Sequence, residues 1–131
     1  MNRVLVLIAL ALASTAFAQD APDTIETLSM IRDSETARLD QQTIQQRGDV
    51  TRFDVRVQPR DPEQQATDAP AGRFIRYVAR CGEKSMGVAA VATIDRQGKM
   101  LKSYVVPPGA ADFAVPADGS MEARWLAEAC R

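Results

Sequence analysis

The alternation in "TRFDVRV", Thr51 to Val57, constrains this chain more than any other stretch. Side chains of an extended strand point in turn to opposite faces. Phe53, Val55 and Val57 therefore share one face, and Arg52, Asp54 and Arg56 share the other. "RFIRYVARC" repeats the pattern, with Ile75, Tyr77, Ala79 and Cys81 on one side and Arg76 and Arg80 on the other. Two such segments predict a sheet with one buried and one polar face.

The following segments extend that sheet. "MGVAAVATI", Met86 to Ile94, is apolar in both registers, as expected of a central strand covered on both sides. Asp95 to Lys99 carries Gly98 and has the composition of a hairpin loop leading into "MLKSYVV", Met100 to Val106. Pro59 to Gly72 holds three prolines and no large apolar residue, so it is expected to be a long exposed loop. "TIETLSMI", Thr24 to Ile31, fits either a first strand or a helix.

At the C-terminus, "SMEARWLAEACR" has Ser120 placed to cap a helix and Glu122 suited to its positive N-terminal end. Met121, Trp125 and Ala129 recur at four-residue spacing, with Leu126 and Cys130 beside them. Such a stripe suits a helix lying on a sheet, with Trp125 in the core. The expected class is α+β: an antiparallel sheet of five or six strands, with a C-terminal helix on one face.

Met1-Asn2-Arg3, the apolar run Val4 to Ala13 and the small-x-small end Ala16-Phe17-Ala18 form a secretory signal, with cleavage expected after Ala18. The run is shorter than the roughly 18 residues of a membrane helix. No Cys stands at the expected cleavage point to take a lipid, and no stable membrane insertion is expected. Residues 19 to 23 are expected to be a disordered leader, and 24 to 131 a single domain.

Charge and cysteine content then narrow the function. The chain has 16 basic and 17 acidic residues, and the signal holds one Arg. The mature chain is thus 15 against 17, or −2, which gives no electrostatic case for nucleic acid or anionic membrane. Cys81 and Cys130 are the only cysteines, and an even pair in an exported chain is most simply a disulfide. The sequence has no His, which removes Ser-His-Asp and Cys-His catalysis and His-ligated zinc. Asp40, Glu83, Asp95 and Asp112 show no spacing that pairs two of them on one element for acid/base chemistry. No catalytic residue, metal or cofactor is expected.

Arg47-Gly48-Asp49 spells a tripeptide by which host matrix proteins are recognised at cell surfaces. It also sits where a hairpin must turn, and Gly followed by Asp is ordinary turn chemistry there. The plain turn suffices, and receptor binding is the sharper alternative. Arg52, Arg56, Arg76 and Arg80 would form one cationic row if their strands pair, able to hold sulfated sugars, phosphates or an acidic partner. The competing reading is a solvated face neutralised by Asp54 and its neighbours.

The order of these features resembles the surface-adhesin protein E-like family. In "RLDQQTIQQRGDVTRFDVRV" the matching positions are Asp40, a polar turn, Ile44, the turn at Gly48 and the strand Val50 to Val57. Further on come a strand ending in Cys81, the turn Asp95 to Gly98, and a helix from Ser120 to Cys130. The resemblance spans Thr24 to Arg131 and implies a small exported bacterial domain of the Gram-negative type, with a sheet, a helix and one disulfide. Its namesake members are surface-exposed and bind host matrix components, so a protein or matrix partner at the envelope or outside the cell is expected. The chain departs from those members in lacking a lipid-attachment Cys. A periplasmic inhibitor or immunity-type protein, inserting the Pro59 to Gly72 loop into an enzyme, is the alternative.

Overall fold

A computed structural model describes residues 24–64, 70–107 and 109–131. The expected signal, Met1 to Ala18, and the leader to residue 23 lie outside the described residues, as do residues 65–69 of the Pro59 to Gly72 loop. The described part of that loop is exposed from Arg60 to Glu63 and again at Pro70.

Five antiparallel strands lie in sequence order: β1 (Glu35–Arg47), β2 (Val50–Pro59), β3 (Gly72–Arg80), β4 (Ser85–Ile94) and β5 (Met100–Val105). Among the described residues two α-helices flank them, α1 (Ile25–Ser29) and α2 (Met121–Ala129). Thr24 to Ile31 therefore resolves as a helix: the Thr24 hydroxyl accepts from the Thr27 amide and caps its first turn. Among the described residues no helix is long and apolar enough to cross a membrane.

The alternation in β2 and β3 places the core as expected. Phe53, Val55, Val57, Ile75 and Ala79 are fully buried, and Tyr77 nearly so. Phe53 stacks on Tyr77 at 5.5 Å between ring centroids, and Tyr77 meets Trp125 of α2 at 6.0 Å. This aromatic column joins sheet to helix. Burial and the negative charge of Glu122 push the Tyr77 phenol above its ordinary range, so it stays neutral. Ser120 caps α2 by accepting from the Ala123 amide at 3.1 Å. Trp125, Leu126 and Ala129 are buried, with Met121 and Cys130 packed beside them. Cys81 and Cys130 are bonded, tying the end of β3 to the end of α2.

Strand β4 departs from expectation. Its outer side is covered near its start, where Ser85 and Gly87 are buried and the Asp112 backbone lies against Gly87, while Ala90 and Ala92 farther on are partly exposed. Arg76 pairs with Ala90 but Tyr77 with Val88, so Ala89 is an extra residue that bulges from the ladder. The bulge shifts the alternation, placing Met86, Val88, Val91 and Thr93 toward the core and Gly87, Ala90 and Ala92 away from it. Apolar residues in both registers reflect this switch together with small, partly exposed alanines on the outer side.

A second irregularity interrupts β1. Asp40 pairs with Asp54 and Gln45 with Arg52, leaving four β1 residues opposite one β2 residue. The displaced chain satisfies itself locally. Asp40 accepts from the Gln42 amide, and the Thr43 hydroxyl accepts from the Asp54 amide at 2.8 Å, where a ladder carbonyl would have stood. At the hairpin tip, Arg47 pairs with Val50 and leaves Gly48-Asp49 as a two-residue turn. Gly48 has φ +63° and Asp49 does not share the positive sign, the signature of a turn with glycine in its first central position.

Candidate functional site

Both helices lie on the core side of the sheet, α2 over β1 and β2 and α1 over β4. The opposite face carries no helix among the described residues. Its composition follows from the register, row by row across the strands. The pairs Arg47–Val50 and Arg80–Ser85 stand at the hairpin end, and Gln45, Arg52, Val78 and Gly87 form the next row. Asp40, Asp54, Arg76, Ala90 and Val105 form the third row from that end, and Arg38, Arg56, Phe74, Ala92 and Ser103 the fourth.

Strands β2 and β3 do pair, so Arg52, Arg56, Arg76 and Arg80 share one face, and Arg47 stands at its corner. Arg38 also belongs to it, in phase with the exposed side of "TARLD". These arginines face only Asp40 and Asp54 across the rows. The remaining described acids lie in loops, at the sheet margins or on the helices, so a chain of formal net charge −1 has a basic sheet face.

The guanidinium groups are held differently. Arg76 donates to both Asp54 oxygens, at 2.8 and 3.0 Å, and this hydrogen-bonded pairing raises the Arg76 pKa. Arg52 donates to the Gln45 side-chain oxygen at 2.6 Å. Arg56 lies over the Phe74 ring at 5.6 Å and Arg80 over Phe113 at 4.0 Å, with Glu83 at 3.9 Å from Arg80. Stacking on a ring orients a guanidinium while leaving its in-plane N–H groups free to donate. Among the described residues no carboxylate lies within 4.0 Å of Arg38, Arg47, Arg52 or Arg56.

Two shallow concavities open on this face. One, of about 560 Å³, lies between the sheet and the stretch after β5 and is lined by Val50, Val78, Arg80 and Phe113 among others. That stretch returns to the sheet where Met86 and Ala114 exchange backbone hydrogen bonds of 3.0 Å. The other, of about 220 Å³, is bounded by the Asp54–Arg76 pair, Phe74, Ala90, Ala92 and Met100. A third, on the far side beside the disulfide, is lined by Cys81, Val115, Leu126 and Cys130.

Gly48 and Asp49 are exposed at the tip, at the end of the arginine face. The four carboxylates weighed for acid/base chemistry are scattered. Asp40 sits in the β1 irregularity, Glu83 beside Arg80, Asp112 at the rim of the larger concavity, and Asp95 in the β4–β5 turn, accepting from the Gln97 and Lys99 amides. Among the described residues no three His, Cys, Asp or Glu side chains are grouped as a metal site requires.

Arg73, Phe74 and Phe113 also shape the structure, although alternation alone does not single them out as a set. Arg73 is in phase with Ile75, and an arginine on the core side of a strand signals a buried partner. Phe74 and Phe113 acquire their roles only through the arginines that cover them. No protein family, no curated protein and no solved structure matches this chain.

Proposed function

We propose that this chain is an exported, non-catalytic binding module that recognises a protein or matrix partner at the cell envelope or outside the cell, as its resemblance to surface-adhesin protein E-like domains implies. One observation carries this reading. Helices and a disulfide close one side of the sheet, while the other carries no helix among the described residues and holds arginines, aromatic rings and two shallow concavities. Arginine and aromatic side chains are the types enriched in recognition surfaces.

The test is saturable binding of the purified chain to immobilised matrix components, compared with R52E/R80E. A tenfold or greater loss in the variant, with its fold retained by circular dichroism, supports the reading. Equal binding by both proteins moves recognition off this face. Stoichiometric capture and inhibition of one periplasmic enzyme, without matrix binding, replaces the reading with an inhibitor.

A further inference from the structure

The fourth row of this arginine-bearing face sets Arg38 directly opposite Arg56 on adjacent antiparallel strands. Opposed Cα atoms in such a pair lie about 4.5–5.5 Å apart, and like charges placed this way destabilise a sheet. Both arginines are exposed, and no carboxylate of the described residues lies within 4.0 Å of either. The face's own acids are engaged elsewhere: Asp54 takes the Arg76 fork, and Asp40 accepts the Gln42 amide. Phe74 orients Arg56 from the neighbouring strand.

We propose that this face binds a sulfated polysaccharide, with Arg38 and Arg56 sharing one sulfate ester and Arg47, Arg52 and Arg80 holding a second. The proposal rests on the binding-module reading and names its ligand. A carboxylate has two oxygens and is matched by a single guanidinium fork. A sulfate ester presents three terminal oxygens, enough to accept from two opposed guanidiniums at once. Arg52 and Arg56 are four residues apart along β2, or about 13 Å, so the two arginine groups suit anions repeated along a polymer. Such a polymer would lie across β1 to β3, where both arginine groups stand.

The placement of apolar side chains separates this ligand from an anionic membrane. Met100, Leu101 and Val105, all about half exposed or more, lie on β5. That strand is three spacings from β2, about 14 Å away. A membrane-docking face sets exposed apolar anchors among its basic residues, whereas here the apolar side chains among the arginines, Val50, Phe74 and Val78, are only partly exposed and the well-exposed ones are on β5.

Heparin is the probe. Affinity of the purified chain is measured at about 0.15 M salt and again at higher salt, where screening weakens such contacts. R38A/R56A is expected to lose at least tenfold, and R38K/R56K, which keeps charge but removes the planar forks, to lose several-fold. K99A/K102A deletes the same charge away from the face and is expected to bind like the parent. Absence of heparin binding by the parent overturns the proposal, as does an equal loss in K99A/K102A. Equal affinity for poly-glutamate overturns it in favour of an acidic polypeptide, and binding to anionic vesicles without heparin binding overturns it in favour of a membrane. Matrix-protein binding that persists without heparin binding removes only the glycan and leaves the module reading in place.

Discussion

The Arg73 guanidinium of β3 forks onto the Glu35 carboxylate of β1, joining two strands that are not neighbours in the sheet. The same guanidinium donates to the Leu28 and Met30 carbonyls, at 2.6 and 2.5 Å. Those carbonyls belong to the C-terminal end of α1, where helix acceptors have no partners of their own. One side chain thus closes a helix end and bridges β2. Arg73→Ala is expected to cost about 2–4 kcal/mol, because it leaves a largely desolvated carboxylate and helix carbonyls unsatisfied. Denaturant unfolding checks the loss, and amide exchange should show faster opening at Leu28 and Met30.

The same pair sets a pH dependence. Burial pushes the Glu35 carboxyl upward, but hydrogen bonds from Arg73 and the Arg32 amide, with the charges of both arginines, outweigh it and hold the pKa below the ordinary value of 4.5. A folded pKa below the unfolded one means that the unfolded chain binds the proton more readily. The stabilisation is therefore complete above about pH 5 and is lost as pH falls through the folded value. Melting measured from pH 7 to pH 3 should show this decline, and Glu35→Gln should flatten the part due to this group.

Reduction of Cys81–Cys130 releases a loop of 49 residues. In the chain-entropy account, such a loop contributes roughly 4 kcal/mol. The reduced protein should melt at markedly lower temperature, and amides of α2 should exchange first, because that helix is held by the bond and one apolar stripe. A melt unchanged by reductant would contradict this.

Two substitutions in the hairpin tip separate its structural and adhesive roles. Gly48 is at φ +63° with open space around it, so Gly48→Ala should cost about 1 kcal/mol through backbone strain alone. Asp49→Ala should leave stability within about 0.5 kcal/mol, as an exposed surface change. Cell attachment that falls in Asp49→Ala while stability holds would assign the tripeptide a receptor role; unchanged attachment leaves it a turn.

Gly87 tests how the stretch after β5 is seated. A Cβ at this position would lie 2.7 Å from the Asp112 carbonyl oxygen and 3.0 Å from its carbon, both backbone atoms. Gly87→Ala should therefore push that stretch off β4 and break the Met86–Ala114 bridge, at a cost of about 1–3 kcal/mol. Loss of protection at the Met86 and Ala114 amides is the readout.

Several of these features were legible from local pattern. Period-two alternation marked the buried faces of β2 and β3, Ser120 marked the start of α2, and two cysteines allowed only one pairing within the chain. The Gly-Asp tip of the first hairpin was equally plain, because its turn chemistry depends on neighbouring residues alone. Each of these rests on interactions a few residues apart. The Ala89 bulge was not legible, since "VAAVA" alternates equally well in either phase and only pairing with Arg76 and Tyr77 selects one. Thr24 to Ile31 was undecided for a similar reason. Five helical residues are too few to be stable alone, and Arg73, 45 residues from Leu28, helps to hold them.

At the candidate site, the order of residues was enough to turn Arg52, Arg56, Arg76 and Arg80 away from the core, because strand geometry ties each to its apolar neighbours. It was also enough to place the hairpin turn at Gly48-Asp49. The assembled sheet alone sets Arg38 against Arg56, neutralises Arg76 with Asp54, and slides Phe74 and Phe113 beneath two of the guanidiniums. Those contacts join different strands or distant segments. Their register is set by the whole ladder and its irregularities, and a shift of one residue would have sent each side chain to the other face.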